Sequence, residues 1–294
     1  MEKKRIGLIG LGLMGNGLAI NLLSAGFYLV GYDIDESKIA NVIKMGGRRV
    51  DSPEEIPPQV DVIITSLPNS QVVNEVVKNS LKLFETGRPG LILMDTTTAD
   101  PVMSEELATE LRKKKMEMLD ATISGTSTMC AEKDIIIMVG GSKKIFADCE
   151  PIFSAIAKET FFLGKNGSGA STKLIVNLVL GLNRMALAEG LVLGKKLGMD
   201  QLRLLELLKK SAAYSKAMDM KGSRMVNKEF LPPEGKLAIH LKDVRLILDI
   251  GRRVNFPLIL TSIESQALAS EFAKGKSEWD SSVIISFYED LANI

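Results

Sequence analysis

The sequence predicts an α/β domain with a doubly wound, mainly parallel sheet, followed by a long helix and an all-helical domain. Two observations lead to this prediction. Through the first half of the 294-residue chain, short and nearly continuous apolar runs alternate with helical patterns. Beyond about residue 170 the pattern is helical, and no strand-like alternation follows. Apolar strands separated by helices are typical of a parallel sheet that is covered on both faces.

The strands of this sheet are predicted from apolar runs in the first half of the chain, each long enough to cross a sheet once. Pro68 ends the third run, because proline cannot continue a ladder of hydrogen bonds. The predicted strands cover 5–10, 28–33, 60–68, 90–98, 116–121, 135–140 and 160–164.

Helical patterns separate these strands, with predicted helices over 13–25 and 35–45 and from near Pro101. On the first of them one side is apolar, which predicts its buried face: Leu13, Leu18, Leu22 and Leu23. The composition changes at 164–171, where Gly and Ser cluster. The α/β domain is therefore predicted to cover 1–164 and the helical domain 165–294.

The helical domain is predicted to begin with an unusually long helix. The pattern from Ala170 to Leu197 is helical almost without a break, and such a segment is roughly 40 Å long at 1.5 Å per residue. We expect it to span or join the two domains. A break is predicted at 229–235. The later helices are predicted over 200–211, 238–254, 257–274 and 280–292.

Charge and apolar length argue against nucleic acid and membranes as partners. Lys plus Arg number 37 and Asp plus Glu 36, so no basic surplus indicates a polyanionic partner. No apolar run reaches the roughly 18 residues that cross a bilayer. The apolar stretch at 6–20 is interrupted by glycines and is not followed by a cleavage site, which excludes a signal peptide.

Cysteine and histidine content argues against metal and triad chemistry. Cys130 and Cys149 are too few for a disulfide framework or a zinc site, and two reduced thiols are typical of a cytoplasmic protein. A single histidine, His240, is too little for histidine-based triads or multi-histidine metal sites. We therefore expect no metal and no catalytic role for His240.

A glycine pattern occurs in "GLIGLGLMGNGLAINLLSAGF", between the first predicted strand and the first predicted helix. Gly10, Gly12 and Gly15 form G-x-G-x-x-G. In a dinucleotide-binding turn the first glycine permits the tight turn, the second lets the backbone approach a pyrophosphate, and the third allows close helix packing. The phosphates then bind the positive helix N-terminus. The position of the motif therefore predicts dinucleotide binding in a Rossmann-type domain.

Asp33 closes the second predicted strand in "YDIDESK", and an acid at this point can accept hydrogen bonds from the ribose hydroxyls of the cofactor. A carboxylate also repels a 2′-phosphate, and no arginine directly follows it. The sequence thus favours NAD over NADP. The alternative is that Asp33 only caps the next helix, a task that Asp35 or Ser37 could also perform.

Six blocks in this order resemble the β-hydroxyacid dehydrogenase family, which includes 3-hydroxyisobutyrate dehydrogenase and tartronate semialdehyde reductase. The resemblance implies an N-terminal Rossmann domain, an interdomain helix, a helical C-terminal domain and assembly as a homodimer or homotetramer. It implies hydride transfer between NAD(H) and a small β-hydroxy acid or its semialdehyde. The blocks are the glycine-rich stretch at 7–27, "SLPNSQVV" (66–73), "MDTTTADPVMSEELA" (94–108), "LDATISGT" (119–126), "GSGASTKLIVN" (167–177) and "HLKDVRL" (240–246).

The resemblance also implies roles for individual residues. Lys173 matches the family's general acid/base, which moves the hydroxyl proton during hydride transfer. Asn177, four residues on and on the same helix face, would hold the substrate beside it. A loop of small residues would bind the substrate carboxylate: Ser124, Gly125 and Thr126. Cofactor contacts are implied for Leu13, Met14, Leu67, Pro68, Thr97 and Lys242.

Several positions depart from the family pattern, and they fall around the implied substrate site. Thr122 stands where proline is usual, Thr126 where a second glycine is usual, and Val176 where a second asparagine is frequent. The 129–134 segment and Gly235 also differ, so the identity of the hydroxy acid stays open. Two alternatives are an imine-reductase-like enzyme, which usually lacks the lysine, and a catalytically silent dinucleotide-binding module.

Overall fold

The computed structural model describes residues 3–294. Contacts between Cα atoms divide the chain into two compact units, Met1–Lys173 and Leu174–Ile294. The division falls inside the long helix, nine residues after the domain boundary predicted from composition. Each unit has its own apolar core.

The first unit is built on a seven-stranded sheet with the order β2-β1-β3-β4-β5-β6-β7. All neighbouring strands are parallel except β5 and β6, which are antiparallel. The prediction of a mainly parallel sheet is confirmed. The strands are β1 (Ile6–Ile9), β2 (Leu29–Tyr32), β3 (Val62–Thr65), β4 (Ile92–Asp95), β5 (Glu117–Ser124), β6 (Ile136–Gly141) and β7 (Glu159–Gly164).

The register aligns the carboxyl ends of four strands. Ile9 pairs with Thr65, Thr65 with Asp95, and Asp95 with Asp120. Strand β5 continues to Ser124, beyond this edge, so the predicted end at residue 121 is wrong. Thr122 and Ile123 are buried, Ser124 is half-buried, and all three pair with β6. This non-local pairing leaves no local sequence signal.

Helices cover both faces of the sheet, and separate apolar clusters lie on the two sides. The two predicted helices near the N-terminus and the one at Pro101 are present. Short helices were missed, together with a π-helical turn at Val76–Ser80. The helices are α1 (Leu13–Ser24), α2 (Glu36–Lys44), α3 (Ser70–Glu75), α4 (Leu83–Thr86), α5 (Pro101–Lys113), α6 (Ser127–Ala131), α7 (Lys143–Asp148) and α8 (Glu150–Ile156).

Helix α1 packs with the side predicted to be buried, apart from its first residue. Leu18 and Leu22 are fully buried and Leu23 is partly buried. Leu13 is 76% exposed, so its predicted place on the buried side is wrong. Leu13 is the first residue of the helix, and because helical side chains tilt toward the N-terminus, its side chain is directed past the end of the helix.

A long helix, α9 (Ser168–Lys196), crosses the division between the units and confirms the predicted long helix. The second unit otherwise consists of helices around one apolar core, which includes Ala188 and Leu191 of α9. One of them, α11, was not predicted. The helices are α10 (Gln201–Lys210), α11 (Lys216–Asn227), α12 (Leu237–Arg253), α13 (Ile259–Ala273) and α14 (Ile284–Ala292).

Length and composition alone would let α9 cross a membrane, and among residues 3–294 it is the one helix that passes this test. The mean hydropathy of its most apolar window is 1.4, and 44% of that window is buried. Ala188, Leu191 and Val192 belong to the core of the second unit. These contacts are typical of an interior helix of a globular protein.

Candidate active site

The glycine-rich turn between β1 and α1 is held by close backbone contacts. Gly10 has a φ of +88°, and a Cβ there would lie 2.3 Å from the carbonyl oxygen of Ser66. A Cβ at Gly15 would lie 1.9 Å from the carbonyl oxygen of Gly10. Gly12 differs, because a Cβ there would meet nothing within 4 Å. The first and third glycines are thus required by packing, while the second leaves open space in front of the turn.

The N-terminus of α1 opens toward this space. Gly12 is its N-cap, no side chain caps the helix, and its first turn contains no acidic residue. Helix N-termini with free N–H groups favour anions. The turn therefore fits the pyrophosphate of a dinucleotide.

A cavity of about 430 Å³ lies at the carboxyl ends of β1, β2 and β3. It brings together five of the residues predicted to bind the cofactor. Ligands of open α/β sheets bind at this edge. The lining consists of Ile9, Gly10, Gly12, Tyr32, Asp33, Ile34, Lys38, Pro53, Ser66, Leu67, Pro68, Val72, Val76 and Ser80.

Asp33 lies in this cavity with both carboxylate oxygens in use. Oδ2 accepts the N–H of Leu11 at 2.7 Å, and Oδ1 accepts the N–H of Asp35 at 3.0 Å. Lys38 Nζ lies 3.4 Å from Oδ1. Asp35, not Asp33, caps α2 by accepting the N–H of Ser37. Asp33 thus fixes the glycine-rich turn and keeps acceptor capacity for a ligand.

Sequence reasoning missed several residues of this cavity. Lys38 is five residues after Asp33, in the first turns of α2, and its charge within the "YDIDESK" stretch was the available signal. Ile34 is 95% exposed and lies beside Asp33 in the lining. Val76 and Ser80 come from the π-helical turn, which sequence periodicity does not reveal.

Other residues predicted to contact the cofactor lie around the turn rather than in the cavity lining. Met14 is partly buried against the core beneath α1, and Leu13 is exposed at the start of α1. Thr97 is buried, and its Oγ1 accepts the N–H of Leu67 at 3.2 Å. Thr97 is therefore linked to the lining through one backbone hydrogen bond.

A buried carboxylate that sequence reasoning missed supports Thr97. Asp95 Oδ1 accepts the hydroxyl of Thr65 at 2.8 Å and the N–H of Thr97 at 3.1 Å. Burial raises the pKa of Asp95 to about 6. The hydrogen bonds from Thr97 and Thr65 oppose this increase, and the charge of Asp120 adds to it. The polar run "DTTT" directly after an apolar strand was the available signal.

The predicted carboxylate-binding residues lie where β5 ends. Ser124 is the last residue of the strand and is half-buried, and Gly125 follows with a φ of +150°. Thr126 is the N-cap of α6, and its hydroxyl accepts the N–H of Met129 at 3.2 Å. Thr126 therefore holds the turn, which leaves the Ser124 hydroxyl and the Gly125 backbone as groups that a ligand could meet.

Thr122, expected near the substrate, lies elsewhere. Its side chain is fully buried, and its hydroxyl donates to the carbonyl of Gly169 at 2.9 Å. Thr122 thus contacts the start of α9 rather than an open site, and the expectation that this departure faces the substrate is wrong. Its place in the middle of a buried strand is the reason.

Lys173 is the sixth residue of α9 and is half-buried. It is the last residue of the first unit. The start of its helix is fixed by Asp120, which accepts the N–H of Gly167 at 2.9 Å and that of Ala170 at 3.0 Å. The backbone that carries Lys173 is therefore held by a buried side chain of the sheet.

Within the second unit, Asn177, Lys242 and Asp243 lie together. The amide of Asn177 is buried and donates to Asp243 Oδ2 at 2.9 Å. Lys242 Nζ lies 3.1 Å from Asp243 Oδ1. Asp243 thus orients both predicted site residues of this unit.

His240 belongs to a buried polar cluster of the second unit. It contacts the guanidinium of Arg184 at 3.2 Å and Glu264 Oε1 at 2.7 Å. Burial lowers the pKa of His240, and the charge of Arg184 lowers it further. Across residues 3–294, no cluster of three or more His, Cys, Asp or Glu side chains could hold a metal ion.

Two family models match the chain. The NAD-binding domain of 6-phosphogluconate dehydrogenase matches residues 5–164. The NAD-binding domain of NADP-dependent 3-hydroxyisobutyrate dehydrogenase matches residues 167–288. Together they account for NAD(P)-binding domains in both parts of the chain.

Full-length relatives and solved structures agree with these matches. The chain is 31% identical to 2-(hydroxymethyl)glutarate dehydrogenase of Eubacterium barkeri, covering 100% of this chain and 98% of the relative. It is 28% identical to 2-hydroxy-3-oxopropionate reductase of Escherichia coli, over 98% of each chain. The crystal structure of 3-hydroxyisobutyrate dehydrogenase from Salmonella typhimurium superposes with a TM-score of 0.87 at 26% identity, covering 97% of this chain and 99% of that one.

Proposed function

The chain belongs to the β-hydroxyacid dehydrogenase family, and from this premise we propose that it transfers a hydride between NAD(H) and a small β-hydroxy acid or its semialdehyde. The observation that carries the proposal is the cavity lined by Gly12, Asp33 and Leu67 at the end of a parallel sheet. When bound there, the nicotinamide would supply the group that accepts or donates the hydride. The remaining chemistry falls to side chains of this chain.

The cofactor would be held at three points of the first unit. The open space at Gly12 and the uncapped start of α1 would take the pyrophosphate. Asp33 would accept hydrogen bonds from the adenosine ribose. Leu67 and Pro68, with Thr97 behind them, would shape the nicotinamide side. The carboxylate of Asp33 supports NAD as the preferred cofactor, since it would repel a 2′-phosphate.

Lys173 would move the proton that accompanies the hydride. In the oxidation of an alcohol, a neutral Nζ would accept the hydroxyl proton, and in the reduction of an aldehyde the ammonium would return it. Its half-buried position on α9, one turn before Asn177, supports this role. Asn177, oriented by Asp243, would bind the substrate hydroxyl or carboxylate.

The substrate carboxylate would be bound where β5 ends. The Ser124 hydroxyl can donate a hydrogen bond, and the glycine conformation at Gly125 leaves its backbone accessible. Thr126 would act by holding this turn through α6. Lys242, restrained by Asp243, would contact the cofactor, as the family resemblance implies.

The test is a panel of β-hydroxy acids and their semialdehydes, assayed as initial rates with NAD and with NADP. We expect turnover of at least one small β-hydroxy acid, with NAD as the better cofactor. Turnover of cyclic imines alone would favour the imine-reductase alternative. NADH binding without any turnover across the panel would favour the silent module and contradict the proposal.

Asp33 and Lys38 give a prediction for cofactor choice. Asp33→Asn is expected to lower kcat/KM for NAD by about tenfold or more, because hydrogen bonds to a charged acceptor contribute roughly 1.5–3 kcal/mol. Lys38→Ala is the matched variant, since it removes the cation 3.4 Å from that carboxylate. It should lower kcat/KM for NADP more than for NAD, because the unbalanced carboxylate repels a 2′-phosphate. Equal effects of Lys38→Ala on both cofactors would contradict this interpretation.

We also propose that the chain forms a homo-oligomer through its helical unit. An exposed apolar surface surrounds the turn between α12 and α13, and such patches mark interfaces. Leu260→Glu is expected to shift the mass in light scattering from oligomer to monomer, whereas Leu207→Glu, on α10, should not. A monomeric wild type would contradict the proposal. The surface consists of Val254, Phe256, Ile259, Leu260 and Ile263, each at least 52% exposed.

A cytoplasmic location is part of the same proposal. Both cysteines are free and buried, and unpaired thiols are typical of a reducing compartment.

A further inference from the structure

Two buried carboxylates lie on neighbouring strands of the first unit, and the chemistry proposed above uses neither. Asp95 ends β4 and pairs in register with Asp120 of β5. The two residues are only 2% and 1% exposed. Because a buried carboxylate is costly unless it is hydrogen bonded, the partners of each one indicate what it holds in place.

Asp95 holds the two segments that follow β3 and β4. The hydrogen bond that it accepts from the N–H of Thr97 fixes the segment after β4. The hydrogen bond that it accepts from the Thr65 hydroxyl connects it to the end of β3. The bond from the N–H of Leu67 to Thr97 Oγ1 extends the chain of contacts to the cavity lining. Loss of Asp95 would therefore release the segment at the proposed nicotinamide side.

Asp120 holds the start of α9. Its two oxygens accept the N–H groups of Gly167 and Ala170 separately. Thr122, two residues along the same strand, donates to the carbonyl of Gly169. In an α-helix this carbonyl also accepts the N–H of residue 173. The start of α9 is thus attached to β5 through three residues before Lys173: Gly167, Gly169 and Ala170.

Neighbouring residues leave little free space around the Asp120 carboxylate. A Cβ at Gly140, opposite it on β6, would lie 2.7 Å from Asp120 Oδ2. Glycine at 140 leaves the space that the carboxylate occupies. The contacts of Asp120 therefore connect the sheet to the start of α9.

The two carboxylates also interact electrostatically. Burial raises the pKa of both, and the N–H groups of Ala170 and Gly167 oppose this at Asp120. Among the strands that flank β4, β5 presents the titratable Asp120 and β3 the neutral Thr65. The protonation of one carboxylate therefore changes the electrostatic potential at the other carboxylate.

We propose that Asp95 and Asp120 are a pair of positioning residues that hold the cofactor-side segment at Leu67 and Thr97 in a fixed relation to Lys173. Asp95 acts on the cofactor side and Asp120 on the helix that carries the lysine. The proposal rests on the proposed roles of Thr97 and Lys173. An ionised Asp95 accepts the bonds that hold Thr97, and its protonation in acid weakens that hold.

Substitutions at Asp95 test the cofactor side. Asp95→Ala removes the acceptor, and we expect kcat to fall by about tenfold or more, because small misplacements of reacting groups are costly. Asp95→Asn retains an oxygen that can accept from Thr65 and Thr97 but cannot titrate. It should restore kcat at pH 7.5 to near the wild-type value. In aldehyde reduction, where the ammonium form of Lys173 would act, the wild type is expected to lose kcat on acidification through about pH 6, and this decline should be absent from Asp95→Asn.

Substitution of Asp120 tests the helix side. Asparagine can accept with only one atom, so Asp120→Asn cannot satisfy both Gly167 and Ala170. We expect kcat to fall by about tenfold with NADH affinity unchanged, and amide hydrogen exchange to become faster across 167–173. Exchange needs no turnover, so it tests the helix anchor even if the proposed function fails.

Asp100→Asn is the matched control. Asp100 is also buried, and it caps α5 by accepting the N–H of Val102 at 3.0 Å. Asparagine caps helices as well as aspartate does, so rates, pH profile and exchange at 167–173 should stay as in the wild type. The proposal is overturned if Asp95→Asn retains the acid decline, or if Asp120→Asn exchanges at 167–173 like the control. A wild type without turnover but with the exchange difference would refute only the proposed function.

Discussion

Replacing Lys173 with alanine is expected to lower kcat for hydroxy-acid oxidation by about a thousandfold, the middle of the range for general acid/base catalysis. The physical reason is that the hydroxyl proton would have no acceptor on α9 when the hydride leaves. NADH should bind with unchanged affinity, because the glycine-rich turn and Asp33 lie on other elements of the first unit. Single-turnover rates and NADH fluorescence titration measure the two effects separately.

Lys165→Ala is the control for this loss of charge. Lys165 lies just before the same helix, is 80% exposed and pairs with Glu105 at 3.1 Å. Surface ion pairs contribute little, so this variant should keep the wild-type rate. If Lys173→Ala turned over as fast as Lys165→Ala, Lys173 could not be the group that moves the proton.

Gly12→Ala is expected to weaken NADH binding by about 10- to 100-fold, or roughly 1.4–2.7 kcal/mol. Its cost in stability should be no more than about 1 kcal/mol, because alanine is a poorer N-cap than glycine and a methyl group at Gly12 meets no protein atom within 4 Å. It would occupy the space proposed for the pyrophosphate. Calorimetric titration with NADH and thermal unfolding without it measure the two quantities.

Two further glycines distinguish ligand contact from packing. Gly15→Ala places a Cβ 1.9 Å from the Gly10 carbonyl oxygen and should destabilise the protein by about 1–3 kcal/mol through overpacking. Gly190→Ala, in α9, also meets open space and should leave NADH binding unchanged while stabilising its helix by up to about 1 kcal/mol. Normal NADH affinity in Gly12→Ala would show that the pyrophosphate does not bind at this turn.

The parts of the fold that sequence predicts well are those with a strong local signal. Seven apolar runs become seven strands, of which all but the edge strand β7 are mostly buried, and α9 is long because its helical pattern is unbroken. Gly10, Gly12 and Asp33 meet at one cavity because the G-x-G-x-x-G spacing and the end of the next strand fix that geometry locally. The roles of Lys173 and Asn177 stay predictions from family resemblance.

The parts that sequence misses depend on contacts between distant segments. The extension of β5 to Ser124 depends on pairing with β6. Thr122 seemed a departure at the substrate, and its hydroxyl instead bonds Gly169, 47 residues away. Asp95 lies in the predicted strand 90–98 with no role assigned to it, and only the register of β3, β4 and β5 shows what it supports. Short helices such as α6 also escape, because one or two turns carry too little periodicity.

The reversal of direction between β5 and β6 determines where the chain is free to vary. Strand β5 passes the carboxyl edge of the sheet by four residues, and β6 and β7 return the chain to that edge, where Gly140 pairs with both Asp120 and Gly164. Residues 125–135 connect β5 to β6 beyond this edge, and α9 begins only after β7 has brought the chain back to the edge. Cys130 and Ile135 of this segment belong to the apolar core, and the side chain of Asn21 in α1 donates to the carbonyl of Cys130. Its exposed residues, Thr128, Glu132 and Lys133, can differ without shifting the helix that carries Lys173, so substrate range could diverge, or be redesigned, at these positions.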